Sequence, residues 1–425
     1  DLVPFEVDIP APQPAPIGPL PVEQQRTILA VATEWASHHG GISTLNRELC
    51  GALAALGHTV MCLVPEASEL DVNDAKGVSV ELLECPRSVG VDGHPRFLLC
   101  MPEHLDAEPE LVIGHDHITG IYARALAERF GAKYLHFLHT IPQENEGLKS
   151  PHGDTPRDVM DGEIKMENQL LLAGSADLVV AVGPRIQKYF LWEAVEPPPV
   201  TVLIPGLNPD LLTLVPDHKT LQVNSCLMSG RMEDAGVKGG LLACDVIKMV
   251  ANEREWGSGQ TPVMVMRGFT KAKANAEFAK IGDFASYSQF VHLRSFSTDP
   301  VKLRQGYLNT ALIIMPSVAE GFGLTGLEAI AAGVPVIISA SSGLAEYLLD
   351  PSLNQGLNPA LVLPCIAPVT LDDASNRAVW AEKVDAALFD HAVSFERAAS
   401  LRNALKARLT WDNAARKLSA DFHGL

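Results

Sequence analysis

Cations are scarce in this 425-residue chain: 33 Lys and Arg stand against 51 Asp and Glu, a formal net charge of −18 at pH 7. Nucleic acids and anionic lipid surfaces are gripped by basic faces, so the balance argues against both as partners while leaving room for a local basic pocket. No apolar run approaches the roughly 18 residues of a membrane span, and none is expected. Cysteine is sparse and unpatterned: Cys50, Cys62, Cys85, Cys100, Cys226, Cys244 and Cys365 are an odd number without a CxxC pair, mostly inside apolar segments. Reduced, buried thiols in a cytoplasmic protein are the expectation, not a disulfide frame. A signal-peptide pattern is also missing, although the chain begins at Asp1 without Met, which weakens that absence as a signal.

What is present is a globular composition, 47% hydrophobic and 20% charged. The length suits two or three domains at roughly 150 residues each. Residues 1–25, "DLVPFEVDIPAPQPAPIGPLPVEQQ", are proline-rich and read as an extended arm. From 26 onward, apolar runs of strand length (27–33, 58–63, 111–114, 133–138, 178–182, 200–204) alternate with helical patterns (44–56, 119–130, 163–173, 184–192). Near-continuous apolar strands between helices predict a parallel sheet covered on both faces. "EPPPVTVLIPGLNPD" (196–210) interrupts the rhythm. It then restarts with strands at 223–228, 263–266, 290–293, 311–315 and 334–338, and helices at 241–250, 271–284, 301–309, 324–332 and 343–348. The fold class is therefore α/β: two Rossmann-like parallel-sheet domains facing across a cleft. We divide the chain into the arm 1–25, an acceptor domain 26–205, a donor domain 206–402 and a C-terminal helix 403–425 returning to the first domain. Open parallel sheets bind ligands where the loops leave the carboxyl ends of their strands, so those loops hold the candidate residues.

In the first domain "HHGGIS" follows the first strand. Gly40 and Gly41 allow a ligand close to the backbone, and Ser43 is placed as the N-cap of a helix whose amides favour an anion. A plain strand-to-helix turn would look the same. In the second domain "EGFGLTGLEAIAAGVPV" (320–336) follows a strand and runs at once into a helix. Glu320 and Glu328, facing one end of the sheet, are suited to sugar hydroxyls, and the backbone N–H groups of Gly323, Leu324 and Thr325 to a phosphate. "SGRMEDAGVKGG" supplies Arg231 and Lys238 on one strand-end loop, two cations suited to a diphosphate.

With "FLHTIP", "ADLVVAVGPRI" and "VHLRSF", these pieces stand in the order found in the retaining glycosyltransferases of family 4, which have the GT-B architecture, and the chain resembles that family from about Arg26 to Glu346. The resemblance implies a nucleotide-sugar donor, a UDP-sugar with GDP- and ADP-sugars left open, and roles for individual residues. Gly41 would approach the donor phosphate, with Arg231 and Lys238 neutralising the diphosphate. Glu320 would touch the transferred sugar and Glu328 the ribose. Backbone groups at Leu293 and Arg294 would border the base, and His139 would lie near the reacting sugar. It implies hexosyl transfer with retention, on the donor's front face, without a metal or other cofactor. "IPGLNPD" departs from the family by placing Asn208 where an acid is usual, and the spacer between Arg231 and Lys238 is long.

Other readings accompany this one. His115, Asp116 and His117 in "GHDHITG" invite a metal, but no further ligand pair is spaced for zinc, and no metal is expected. His136 reads as structural, and His38 and His39 as cleft-lining or solvated. The polar segment 141–163 reads as an acceptor loop or a surface loop. The acceptor (small molecule, glycan or protein) is left open, and a homodimer is compatible with the sequence. A nucleotide-sugar sensor without turnover, or a GT-B epimerase or phosphorylase, would use the same pocket.

Overall fold

The computed structural model describes residues 18–36, 41–88, 90–99, 105, 107–147, 156–232, 235–257, 259–270, 272, 274–279 and 281–425. Seven parallel strands form the first sheet: β1 (Thr27–Val31), β2 (Thr59–Val64), β3 (Val80–Glu84), β4 (Leu111–His115), β5 (Lys133–Leu138), β6 (Leu178–Val182) and β7 (Val200–Leu203). Their order is β3-β2-β1-β4-β5-β6-β7. β4 and β6 are buried at every residue, as strands sandwiched between helix layers must be. The sequence pattern overlooked β3. It is an edge strand whose middle is half exposed, so its "VELLE" shows no continuous apolar run.

The second sheet has six parallel strands: β8 (Ser225–Ser229), β9 (Val263–Phe269), β10 (Val291–Ser295), β11 (Leu312–Met315), β12 (Val336–Ser339) and β13 (Ile366–Ala367), ordered β10-β9-β8-β11-β12-β13. The two-residue β13 was too short to be read. The helix expected over 271–284 is instead two short pieces, Ala274–Phe278 and Phe284–Tyr287. The segment 141–163 is not one loop: Pro142–Gly147 and the start of Pro156–Gly174 are helical. The proline-rich residues 1–17 lie outside the described residues.

The chain crosses between the lobes twice, and the crossings touch. A Cβ on Gly206 would fall 2.3 Å from the backbone nitrogen of Trp411, and Leu207 N–H donates to Leu409 C=O at 2.8 Å. The last helix, Trp411–His423, then packs on the first lobe against the Gly41–Ala55 helix and β7. His58 Nε2 meets Ser419 Oγ there at 2.9 Å. One apolar cluster runs from the first sheet through Phe322, Leu327 and Ile330 into the second lobe. Among the described residues no helix is long and apolar enough to cross a membrane, and the six described cysteines are free and buried.

Candidate active site

The loops at the carboxyl ends of β8 and β11 meet on the second lobe. Gly239 adopts φ 72°, and a Cβ there would lie 2.0 Å from the Pro316 carbonyl, so only glycine lets the loop after β8 settle onto the loop after β11. That packing brings Lys238 Nζ to 2.6 Å from Glu320 Oε2, and Ser317 donates to the same oxygen at 3.2 Å. Arg231 is exposed at the start of the Lys238 loop. Gly323, at φ 107°, begins the Leu324–Ala332 helix without a side-chain cap, so no capping side chain satisfies the first-turn N–H groups, those of Leu324 and Thr325 among them, in a helix that starts four residues on from Glu320.

Glu328 does not share the Glu320 surroundings. One turn inside the helix and half-buried, it accepts a hydrogen bond from Tyr307 at 2.9 Å. Burial raises its carboxyl pKa, and the tyrosine bond opposes the rise. It borders a small interlobe cavity with Thr44, Glu48, Asn208, Leu324 and Trp411. Glu320, in the loop before the helix, and Glu328, inside it, thus have different partners, Lys238 and Tyr307. Asn208 caps the Pro209–Leu212 helix, accepting from Asp210 N–H at 2.9 Å and Leu211 N–H at 3.1 Å. Leu293 and Arg294 lie on the edge strand β10, Leu293 half-buried and Arg294 exposed. Beside them on β9, Arg267 lies over Gly306 next to Tyr307, connecting that edge to Glu328. Neither Arg267 nor Tyr307 carries a sequence signal; only the parallel register collects them.

The opposite wall is built at the ends of β1, β4 and β5. Gly40, His38 and His39 lie outside the described residues. Gly41 is the first residue of its helix, so Ser43 is inside the first turn and not the N-cap. It is buried, and its hydroxyl donates to Glu34 Oε1 at 2.9 Å. A Cβ on Gly41 would stand 2.8 Å from Leu324 Cδ1, so the first lobe's glycine faces the first residue of the second lobe's helix. His139 follows β5 and is 9% exposed. Its N–H donates to Asp116 Oδ1 at 2.8 Å, and Thr140 Oγ1 donates to Asp116 Oδ2 at 3.1 Å. A Cβ on Gly321 would fall 2.1 Å from the His139 carbonyl oxygen, so the loop bearing Glu320 is pressed against His139.

Asp116 and His117 open a helix and do not continue β4, so the alternation that would align the two histidines on a strand is broken. Among the described residues no three His, Cys, Asp or Glu are grouped to hold a metal ion. His115 instead contacts His139, Nδ1 to Nε2 at 2.9 Å. Asp116 has φ 43°, rare for a residue with a side chain, and such strain persists where surrounding bonds hold it. Burial pushes its carboxyl up to about 7 and holds His115 down to about 4; it also takes His139 well below the usual imidazole range. His136 turns into the core, with Nδ1 2.6 Å from the Tyr134 hydroxyl.

A family model described as "Family 4 Glycosyltransferase in conflict systems" matches residues 29–418. Among curated proteins, a D-inositol 3-phosphate glycosyltransferase of Frankia alni is 25% identical over 402 residues, 87% of this chain and 94% of that protein. One from Streptomyces coelicolor is 27% identical over 316 residues, 69% of this chain and 67% of that protein. Among solved structures, a sucrose-phosphate synthase from Thermosynechococcus elongatus superposes with a TM-score of 0.70 at 16% identity, covering 94% of this chain and 99% of that one. The Anabaena protein HepE in complex with UDP and glucose gives 0.62 at 13% identity, covering 94% and 100%. At such identities the structures speak for the shared two-domain fold.

Proposed function

The chain belongs to the family 4 glycosyltransferases, in the branch described for conflict systems, and from that membership we propose that it moves a hexosyl group from a nucleotide-diphosphate sugar to an acceptor hydroxyl, with retention and without a metal. The observation that carries this reading is the contact of Lys238 with Glu320 at 2.6 Å beside an uncapped helix start. A cation in contact with an acid, on the loop that leads into an uncapped helix start, suits an ester whose phosphate is anionic and whose sugar offers hydroxyls. Lys238, Arg231 and the amides of Leu324 and Thr325 stabilise the departing diphosphate. Glu320 takes a sugar hydroxyl once Lys238 turns to the phosphate. Glu328 and Tyr307 hold the ribose, and the backbone at Leu293 and Arg294 borders the base. In the transfer step the acceptor oxygen bonds to the anomeric carbon as the bond to the phosphate oxygen breaks. The acceptor proton passes to that departing oxygen on the same face. Gly41 and His139 close the site from the first lobe and keep water out.

Support for a UDP-sugar comes from the HepE complex with UDP and glucose. The curated relatives' names make D-inositol 3-phosphate the first acceptor to try. The test is a thermal-stability panel with UDP-glucose, GDP-mannose and ADP-glucose, followed by turnover of the best binder with hydroxyl acceptors. At 100 to 1,000 times its dissociation constant the donor should stabilise the protein by about 3–4 kcal/mol. Stabilisation by none of the three removes the donor assignment. Binding without transfer or slow hydrolysis identifies a sensor, and a strict need for free phosphate identifies a phosphorylase.

A further inference from the structure

His139 stands at the near end of a relay leading away from the cleft. Its Nε2 lies 2.9 Å from His115 Nδ1, and His115 Nε2 lies 3.0 Å from Asn46 Oδ1. The three residues come from different elements: Asn46 from the Gly41–Ala55 helix, His115 from the end of β4, and His139 from the loop after β5. His115 is 1% exposed and Asn46 2%, so water does not complete their hydrogen bonds. Two thiols orient the Asn46 amide: its nitrogen donates to Cys62 Sγ at 3.5 Å, and its oxygen accepts from the Cys50 thiol at 3.7 Å.

That orientation turns an oxygen, which has only lone pairs, toward His115. His115 must then carry its proton on Nε2; with the proton on Nδ1, lone pair would face lone pair at 3.0 Å. Burial keeps His115 neutral, which leaves Nδ1 bare to accept. Among the described residues the group in reach is His139 Nε2, which must be the donor. Burial keeps His139 neutral as well, so its own Nδ1 holds a lone pair. Among the described residues nothing hydrogen-bonds to that nitrogen, and the His139 backbone lies against the Glu320 loop at Gly321.

We propose that Asn46 and His115 are positioning residues that lock His139 in its Nε2–H tautomer, so that Nδ1 presents an acceptor to a hydroxyl of the transferred sugar. The proposal rests on the reading above that the donor sugar lies against His139. It has a consequence for specificity: the sugar must bring a hydroxyl hydrogen to that point, and a donor deoxygenated there is a poor substrate. It also excludes His139 Nδ1 as a proton donor to the leaving group.

The experiment is nitrogen NMR of the full chain carrying ring-15N histidine at pH 7.5, with His139 assigned by the signals lost in His139→Gln. The wild type should show a protonated Nε2 and a bare Nδ1 at His139. His115→Leu and Asn46→Leu should each add the Nδ1–H form and lower kcat at least tenfold, with the dissociation constant for UDP alone within twofold. His115→Asn, whose amide oxygen falls where Nδ1 sits, should restore the tautomer and most of kcat. Nδ1–H in the wild type overturns the relay without any variant being needed. A tautomer unchanged in both Leu variants overturns it too, and a changed tautomer with unchanged kcat overturns its functional half. The proposed function fails separately: the best-binding nucleotide sugar of the panel should move the His139 Nδ1 signal, and no movement removes the sugar from this position whatever the tautomer.

Discussion

Gly321→Ala is the most informative single perturbation, because its added methyl meets backbone that cannot rotate away. The new Cβ would lie 2.1 Å from the His139 carbonyl oxygen, whereas real contacts essentially never fall under 3.0 Å. The lobes must part locally by about 0.9 Å or more to admit it, which is the scale at which misplacement costs about 100-fold in rate. Retreat is opposed on the other side, since the Gly321 carbonyl accepts a hydrogen bond from Gly343 N–H at 3.1 Å and the Phe322 carbonyl one from Leu344 N–H at 2.7 Å. A hundredfold loss is about 2.7 kcal/mol of barrier. Neither sheet is touched, so unfolding free energy should fall by less than about 2 kcal/mol. The assay is kcat for transfer, or for donor hydrolysis, from the nucleotide sugar that binds best, with a thermal melt on the same sample. Gly77→Ala serves as the control, because nothing lies within 4 Å of a Cβ there. A Gly321→Ala enzyme within threefold of wild type would refute the idea that His139 and the Glu320 loop must meet at this spacing.

Lys238→Ala and Glu320→Ala should each lower turnover at least 100-fold while changing stability by less than about 1 kcal/mol, since an ion pair of two partly exposed groups contributes little to folding; full activity in either variant argues against the site. EDTA should leave the transfer rate unchanged, and a loss restored by Mg²⁺ or Mn²⁺ overturns the metal-free mechanism. Acid should destabilise the fold. Burial holds His58 and His115 at about 4 and His136 at about 3, so from pH 6.5 down to 4 the unfolded chain takes up protons that the folded one refuses. Asp116 acts in the opposite sense, because its folded carboxyl at about 7 keeps a proton that the unfolded chain releases near 4, and its stabilising share fades as pH rises. With His139 also held well below the usual range, the depressed imidazoles outnumber this carboxyl, so the unfolded state carries the excess protons, each worth about 1.4 kcal/mol of lost stability per pH unit. Urea midpoints at pH 7 and 5.5 measure this, and equal midpoints contradict it.

The sequence by itself determined the architecture. Apolar strands of four to seven residues alternating with helices admit little but two covered parallel sheets, because exposed ladders of such strands would leave apolar faces in water. It also placed Gly41, His139, Arg231, Lys238, Glu320 and Gly323 after strands, where the fold gathers its loops. Local pattern failed where neighbours decide. β3 is half polar because it is an edge, Ser43 turns inward to Glu34, and Asn208 serves its own helix as a cap. Tertiary structure alone decided which strand-end residues meet. Lys238 reaches Glu320 across 82 positions, His115 reaches His139 across 24, and His115 reaches Asn46 across 69. No local periodicity encodes such distances. They follow from strand order and register, and from glycines whose missing side chains let one loop rest on another's backbone.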